Sequence, residues 1–264
     1  MAPKKNTSKT KETPNKQGGT STMPLFYSKP TPLDAKSHGK LSLKKDIGLS
    51  FTKEVNAVPI NLIEMPQICH FYPIAFSNDG NATPVAILGI RDNENLYVSD
   101  KGEWEKDVYI PAYIRRYPFI FSEIPNSDKL TLCMDVTDST TSKDNSQPLF
   151  DKDGAPTQLA NNALEFCKSY HSAAQQTIEF SKALEASNLL VDRQAEITVA
   201  DNKKITFSGF KVIDEKKLAE LKDKDFLEWR SKGWLPFLYA HLFSGMNWQR
   251  LTKLVSNRIT AEAA

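Results

Sequence analysis

From residue 159 to residue 184, side chains suited to a buried stripe recur every three or four positions: Leu159, Ala163, Phe166, Tyr170, Ala173, Thr177, Phe180 and Leu184. That spacing predicts one face of a helix of about 30 residues. Pro156 fits its first turn, where a missing N–H costs nothing. Upstream the period is different. Residues 68–76, 85–90, 109–121 and 130–136 are dense in β-branched and aromatic side chains and read as strands. In the last of these, Leu130, Leu132, Met134 and Val136 alternate with Thr131, Cys133 and Asp135, as in a half-buried strand. Val85-Ala86-Ile87-Leu88 has no polar partner and reads as a central strand covered on both faces. Asn78-Asp79-Gly80 and Asp100-Lys101-Gly102 are turn signals, residues 138–146 a polar loop, and residues 28–58 irregular.

Downstream, residues 197–200 and 204–212 predict a hairpin about Asp201-Asn202-Lys203, with a bulge at Ser208-Gly209 where the alternation slips. Short helices follow near 215–222, 225–232, 235–244 and 247–257. Asp214 and Asn247 suit N-caps, and Gly233 a helix stop. The class is therefore α+β: a β-rich N-terminal half, a long amphipathic helix and a short C-terminal helical cluster.

Charge sharpens the boundaries. Residues 1–45 hold ten lysines against Glu12 and Asp34, about +8, which leaves 24 basic and 30 acidic residues, about −6, for the remainder. Residues 1–22 have almost nothing to bury and read as a disordered basic tail. Residues 23–258 read as one domain and 259–264 as a frayed end. The tail has no arginine and no interleaved aromatics, so nucleic acid is not the expected partner. Cys69, Cys133 and Cys167 are odd in number and form no C-x-x-C, which suits free thiols in a reducing compartment. The N-terminal lysines are not followed by an apolar export segment, and the greasiest stretch, 234–243, is too short to span a bilayer. The expected location is cytoplasmic.

No catalytic fingerprint stands out. Asp151-Lys152-Asp153-Gly154 lacks the ligand spacing of a calcium loop and reads as a turn. His38, His70, His171 and His241 form no helical metal pair, so no metal is expected. Glycine-rich phosphate loops and a serine nucleophile elbow are absent, so no cofactor is expected. The most unusual segment runs from Tyr109 to Phe119 through Pro111, Arg115-Arg116-Tyr117 and Pro118. In a strand the two arginines would face opposite ways. The inward one then needs a carboxylate, with Glu64 in its apolar context the first candidate. Arginine beside tyrosine also suits a carboxylate, phosphate or nucleotide ligand. The candidate binding residues are Arg115, Arg116, Tyr117, Glu64, His38 and His241.

Several stretches together form a pattern of fixed order and spacing. They are Pro24-Leu25-Phe26-Tyr27, Pro32-Leu33 with His38, Glu64 with Tyr72-Pro73-Ile74-Ala75-Phe76, and Leu88-Gly89 with Asn95-Leu96-Tyr97-Val98. Next come Gly102 with Trp104, Tyr109-Ile110-Pro111-Ala112, Arg115-Arg116-Tyr117-Pro118-Phe119, and Leu149-Phe150-Asp151 with Gly154 and Pro156-Thr157. Gly209-Phe210, Val212-Ile213-Asp214 and Tyr239-Ala240-His241-Leu242 with Ser244 complete the set. In this order and spacing they resemble the SapC family of bacterial proteins, and the resemblance spans roughly residues 24–255. It implies an association with surface layers, after which the family is named, and brings no reaction or catalytic residues. The transporter label that some similar proteins carry conflicts with the lack of a membrane-spanning stretch. The resemblance and the residues together point to a non-catalytic accessory or binding protein for a protein or peptide partner in surface-layer or envelope biogenesis. The rival reading is an enzyme, or a substrate-presenting subunit, with a polar pocket around Arg115 and Arg116. A deep pocket gathering the candidate residues would favour the rival, and a broad exposed apolar patch the binder. Deleting residues 1–22 should leave the melting temperature within a few degrees, as followed by circular dichroism, because almost no apolar surface is lost.

Overall fold

The computed structural model describes residues 23–123, 130–144, 146–198 and 204–262. The basic tail and the Asp201-Asn202-Lys203 turn lie outside them. Among the described residues, ten strands form three antiparallel sheets. In chain order they are β1 (Pro30–Pro32), β2 (Ser42–Leu43), β3 (Ala57–Pro59), β4 (Ile74–Ser77), β5 (Pro84–Ile87), β6 (Phe119–Glu123), β7 (Leu130–Asp135), β8 (Thr141–Ser142), β9 (Leu190–Thr198) and β10 (Lys204–Ile213). The strand orders are β1-β7-β6, β3-β5-β4-β10-β9 and β2-β8. The helices are α1 (Ala35–His38), α2 (Met65–Ile68), α3 (Ala112–Arg116), α4 (Gln158–Ala186), α5 (Glu215–Ala219), α6 (Asp223–Ser231), α7 (Leu235–Ser244) and α8 (Asn247–Glu262). The fold is α+β.

Helix α4 is the long helix of the stripe. Its cap is Thr157, whose hydroxyl accepts from Ala160 N, so Pro156 precedes the helix instead of sitting in its first turn. Asn188, with φ 58°, turns the chain out at the other end. The stripe meets two sheets. Leu159, Ala163 and Cys167 pack with Phe119 and Met134 of the three-stranded sheet and with Leu149 of the loop before α4. Phe180 and Leu184 enter the main core with the five-stranded sheet and the C-terminal helices. There Phe180 meets Trp234 edge-on at 5.5 Å and Trp229 at a tilt at 6.1 Å. Gly233, at φ 71°, ends α6 and lets those two tryptophans close over one side chain.

The hairpin and its bulge are present. β9 pairs with β10 along its length, with a register shift between Phe207 and Phe210. The first strand begins earlier than expected, at Leu190. β4 pairs with β10 only at Phe210 and Lys211. β5 lies between β3 and β4, with Ala86 and Ile87 buried. Asp214 caps α5 as expected, accepting from Lys216 N and Lys217 N. Asn247 does not act as a cap. It begins α8 and donates its amide to the carbonyls of Cys69 and Tyr72.

Three strand expectations need correction. Residues 65–68 form α2, and the strand begins only at Ile74. Residues 112–116 form α3, and the strand begins only at Phe119. The far face of β7 is covered too: Cys133 packs with Tyr27 and Ile120, and Asp135 is buried. The chain before β1 supplies that cover, which alternation within β7 does not reveal. Within the polar loop, β8 pairs with β2. No helix of the described residues is long and apolar enough to cross a membrane.

Phe180 is fully buried, whereas Lys168 on the outer face pairs only with exposed Glu165. Phe180→Ala should cost about 3–5 kcal/mol and Lys168→Ala under about 0.5 in urea unfolding. Equal costs would contradict the two-sheet role of α4. Phe166 is only half-buried, so its truncation should fall between the two.

Candidate functional site

The site begins with a tight turn over Leu62–Glu64. Asn61 and Glu64 form a capping box, in which Glu64 Oε2 accepts from Asn61 N at 3.0 Å. Thr177 of α4 holds the same turn, its hydroxyl accepting from Leu62 N at 3.0 Å. The Glu64 carboxylate is thereby aimed at the start of α3. Its Oε1 accepts from Ala112 N at 2.6 Å and from the Tyr109 hydroxyl at 3.0 Å. The side chain is buried, and three donors replace the water it loses.

Helical placement changes the reading of the two arginines. Neighbours on a helix are about 100° apart instead of on opposite faces. Arg115 is exposed and held rigidly. Its Nε donates to Ile110 O and its Nη2 to the Tyr109 hydroxyl, both at 2.9 Å. The guanidinium carbon lies 5.2 Å from the Tyr109 ring centre and 5.4 Å from that of Phe166. The expected contact with Glu64 is thus interrupted: the Tyr109 hydroxyl accepts from Arg115 and donates to Glu64. Burial, reinforced by the Glu64 charge, pushes that phenol up to about 12. Arg116 points into a cage of tyrosines, 4.4 Å from Tyr170, 4.6 Å from Tyr113 and 5.6 Å from Tyr27. Burial raises all three phenols, against the pull of the guanidinium, so the cage walls are neutral. No ion pair among the described residues involves either arginine, and Arg116 Nε is buried without a partner. Ring faces take the place of the carboxylate that Arg116 was expected to meet.

Glu64, Arg115 and Tyr109 meet Ile63, Phe166 and Tyr170 around a cleft of about 190 Å³. The other candidates lie elsewhere. The Tyr117 hydroxyl donates to Asp135 Oδ2 at 3.1 Å, and its ring sits 4.3 Å from Phe51. Burial, then the Asp135 charge, pushes it up to about 12. His38 lies in α1, where Nδ1 accepts from Asp34 N at 3.3 Å. Phe166 and Tyr170 read in the sequence only as stripe residues. Their i, i+4 spacing on a helix was the one available sign that two rings shared a face.

His241 occupies a different cavity, of about 450 Å³, with Arg193, Lys216 and Trp248 among its walls. Its Nε2 accepts from Ile213 N at 3.1 Å, so the ring proton sits on Nδ1, which is buried without a hydrogen-bond partner. Burial drives its pKa down to about 4 against the opposing pull of the Ile74 backbone. Nearby, the Ser244 hydroxyl accepts from Ile74 N and donates to His241 O. This pair of side chains ties α7 to β4 and β10. All three cysteines are free and buried, and burial raises each thiol. No group of three His, Cys, Asp or Glu among the described residues could hold a metal ion.

The family model described as SapC matches residues 33–251. No curated protein and no solved structure matches the chain.

The lowered His241 pKa gives a pH dependence of known sign. The ordinary value is 6.5, so between pH 6.5 and about 4 the unfolded chain takes up the proton first. This contribution is complete above pH 6.5 and is lost as pH falls toward 4. From pH 7 to pH 5 it should lower the unfolding free energy by about 2 kcal/mol. His241→Gln keeps an acceptor for Ile213 N and removes the titration. Urea unfolding of both proteins at both pH values tests the point, and an equal loss in the two would sink it.

Proposed function

The chain belongs to the SapC family, and from that premise we propose that it is a non-catalytic accessory protein that binds a protein or peptide partner in surface-layer or cell-envelope biogenesis. The observation that carries this reading is an exposed apolar surface on helix α7 and the turn that follows it. Tyr239 and Phe243, one helical turn apart on α7, and Met246 in the turn that follows it are 44%, 63% and 72% exposed. Neither α7 nor α2, which packs against it, contributes a single Asp, Glu, Lys or Arg, although a quarter of the chain is charged. Ile63, at the edge of the Arg115 cleft, is 61% exposed. Large apolar side chains clustered at the surface mark interaction sites. The enzymatic alternative asks for a pocket that gathers the polar candidates. Glu64 instead has both oxygens engaged, and His38 and His241 lie away from it. The buried free thiols fit action in the cytoplasm.

Phe243→Asp with Met246→Asp tests the reading, since both side chains are exposed and their loss should leave the fold intact. The wild-type chain, cross-linked in its native cell, should capture a reproducible envelope-related protein that the double variant loses. Equal capture by both, or capture of nothing specific by the wild type, would overturn the proposal.

A further inference from the structure

We propose that the Arg115 cleft captures the C-terminal residue of a partner chain, with an apolar side chain in the pocket and the free α-carboxylate on the guanidinium. This rests on the partner-binding reading above and names the chemistry the partner presents. Size comes first. Small-molecule and cofactor sites run from roughly 300 to 1,000 Å³. At about 190 Å³ the cleft has room for one residue. Its walls are largely apolar, from Ile63, Ala112, Phe166, Tyr170 and Ala173.

Charge comes second. Arg115 spends one N–H on Ile110 O and one on the Tyr109 hydroxyl, which leaves three of the five guanidinium donors without a partner among the described residues. Those two bonds and two flanking rings fix the fork in place, so little freedom is lost when an anion docks. Glu64 does face the cleft, but its oxygens are turned to Asn61 N, Ala112 N and the Tyr109 hydroxyl. Behind the Tyr170 wall stands Arg116. The cleft is lined by one guanidinium and one carboxylate, but the Glu64 charge is spent on its own three donors whereas the Arg115 fork keeps donors for an anion. A guanidinium fork matches a carboxylate in two parallel hydrogen bonds.

The combination of pocket and charge selects the ligand. A nucleotide is too large for the cleft. An acidic side chain would reach Arg115 but leave the apolar walls uncovered. A chain-terminal leucine, isoleucine, valine, phenylalanine or methionine carries both features within one residue.

The test uses the full chain and fluorescein-labelled pentapeptides ending in each of these residues, as free acid and as C-terminal amide, read by fluorescence anisotropy. The expected result is saturable binding of free acids, with the amides weaker by about tenfold or more. Arg115→Gln should erase the difference between acid and amide. Ser169→Leu, on an exposed α4 position lining the cleft, should block both forms without touching Arg115. Thermal melts establish that each variant is folded, and Ser169→Leu decides the matter alone if Arg115→Gln is not. Equal affinity for acid and amide, unchanged binding by Ser169→Leu, or no saturable binding of any free acid at millimolar concentration would overturn the proposal. If the wild type still captures its partner in the cell, such a result removes chain-end recognition alone. Loss of specific capture removes both readings.

Discussion

A carboxylate cannot be buried in this fold until three separate pieces of chain have brought it donors. Glu64 takes one hydrogen bond from its own turn, one from the first residue of α3 and one from Tyr109, with no ion-pairing cation among the described residues. Each unmade bond would leave a charge facing a low-dielectric interior, at a cost of several kcal/mol. The turn, the short helix and the loop before it are therefore fixed together. Through Thr177 they are fixed to α4 as well. Because α4 spans two sheets, a single side chain sets the geometry of the junction where the molecule's layers meet.

The same solution recurs with different chemistry. Asp135 is buried and is served by the backbone N–H groups of Ser28 and Lys29 and by the hydroxyls of Ser28 and Tyr117. These contacts pin the chain before β1 to β7, across more than a hundred residues of sequence. Arg116 is served by three aromatic faces. Opposite charges that could have paired are instead kept apart, each satisfied by neutral groups. That arrangement explains how Arg115 reaches the surface with donors to spare.

Helix α4 was legible because a stripe running through nearly all of its 29 residues outweighs any local ambiguity, and the hairpin bulge because the alternation visibly slips at Ser208-Gly209. The stretch from Tyr109 to Phe121 misled because its β-branched and aromatic content suits a strand. Its helical turn depends on Glu64 receiving Ala112 N from 48 residues away, and no local pattern encodes that. The site divides in the same way. Glu64, Arg115 and Arg116 stand out as charges in apolar surroundings. Tyr109 as the bridge, and Phe166 and Tyr170 as walls, emerge only once α3 and α4 are packed. His38, Tyr117 and His241 drew notice as chemistry-bearing types. Each is held by a local or sheet-to-helix contact remote from the cleft.

The narrow seam between β4 and β10 divides the five-stranded sheet into parts of unequal permanence. Among the described residues only Phe210 and Lys211 pair with β4, so beyond the bulge the residues from Lys204 to Phe207 have β9 as their one strand neighbour. Amide protons in that outer arm are released by separating two strands, without disturbing Phe180 or the tryptophans around it. Those in β4 and β5 are released only when the common core opens. Hydrogen exchange in this sheet is therefore graded along a single strand, fast at the tip of β10 and slow at its root, with the glycine at 209 as the divide.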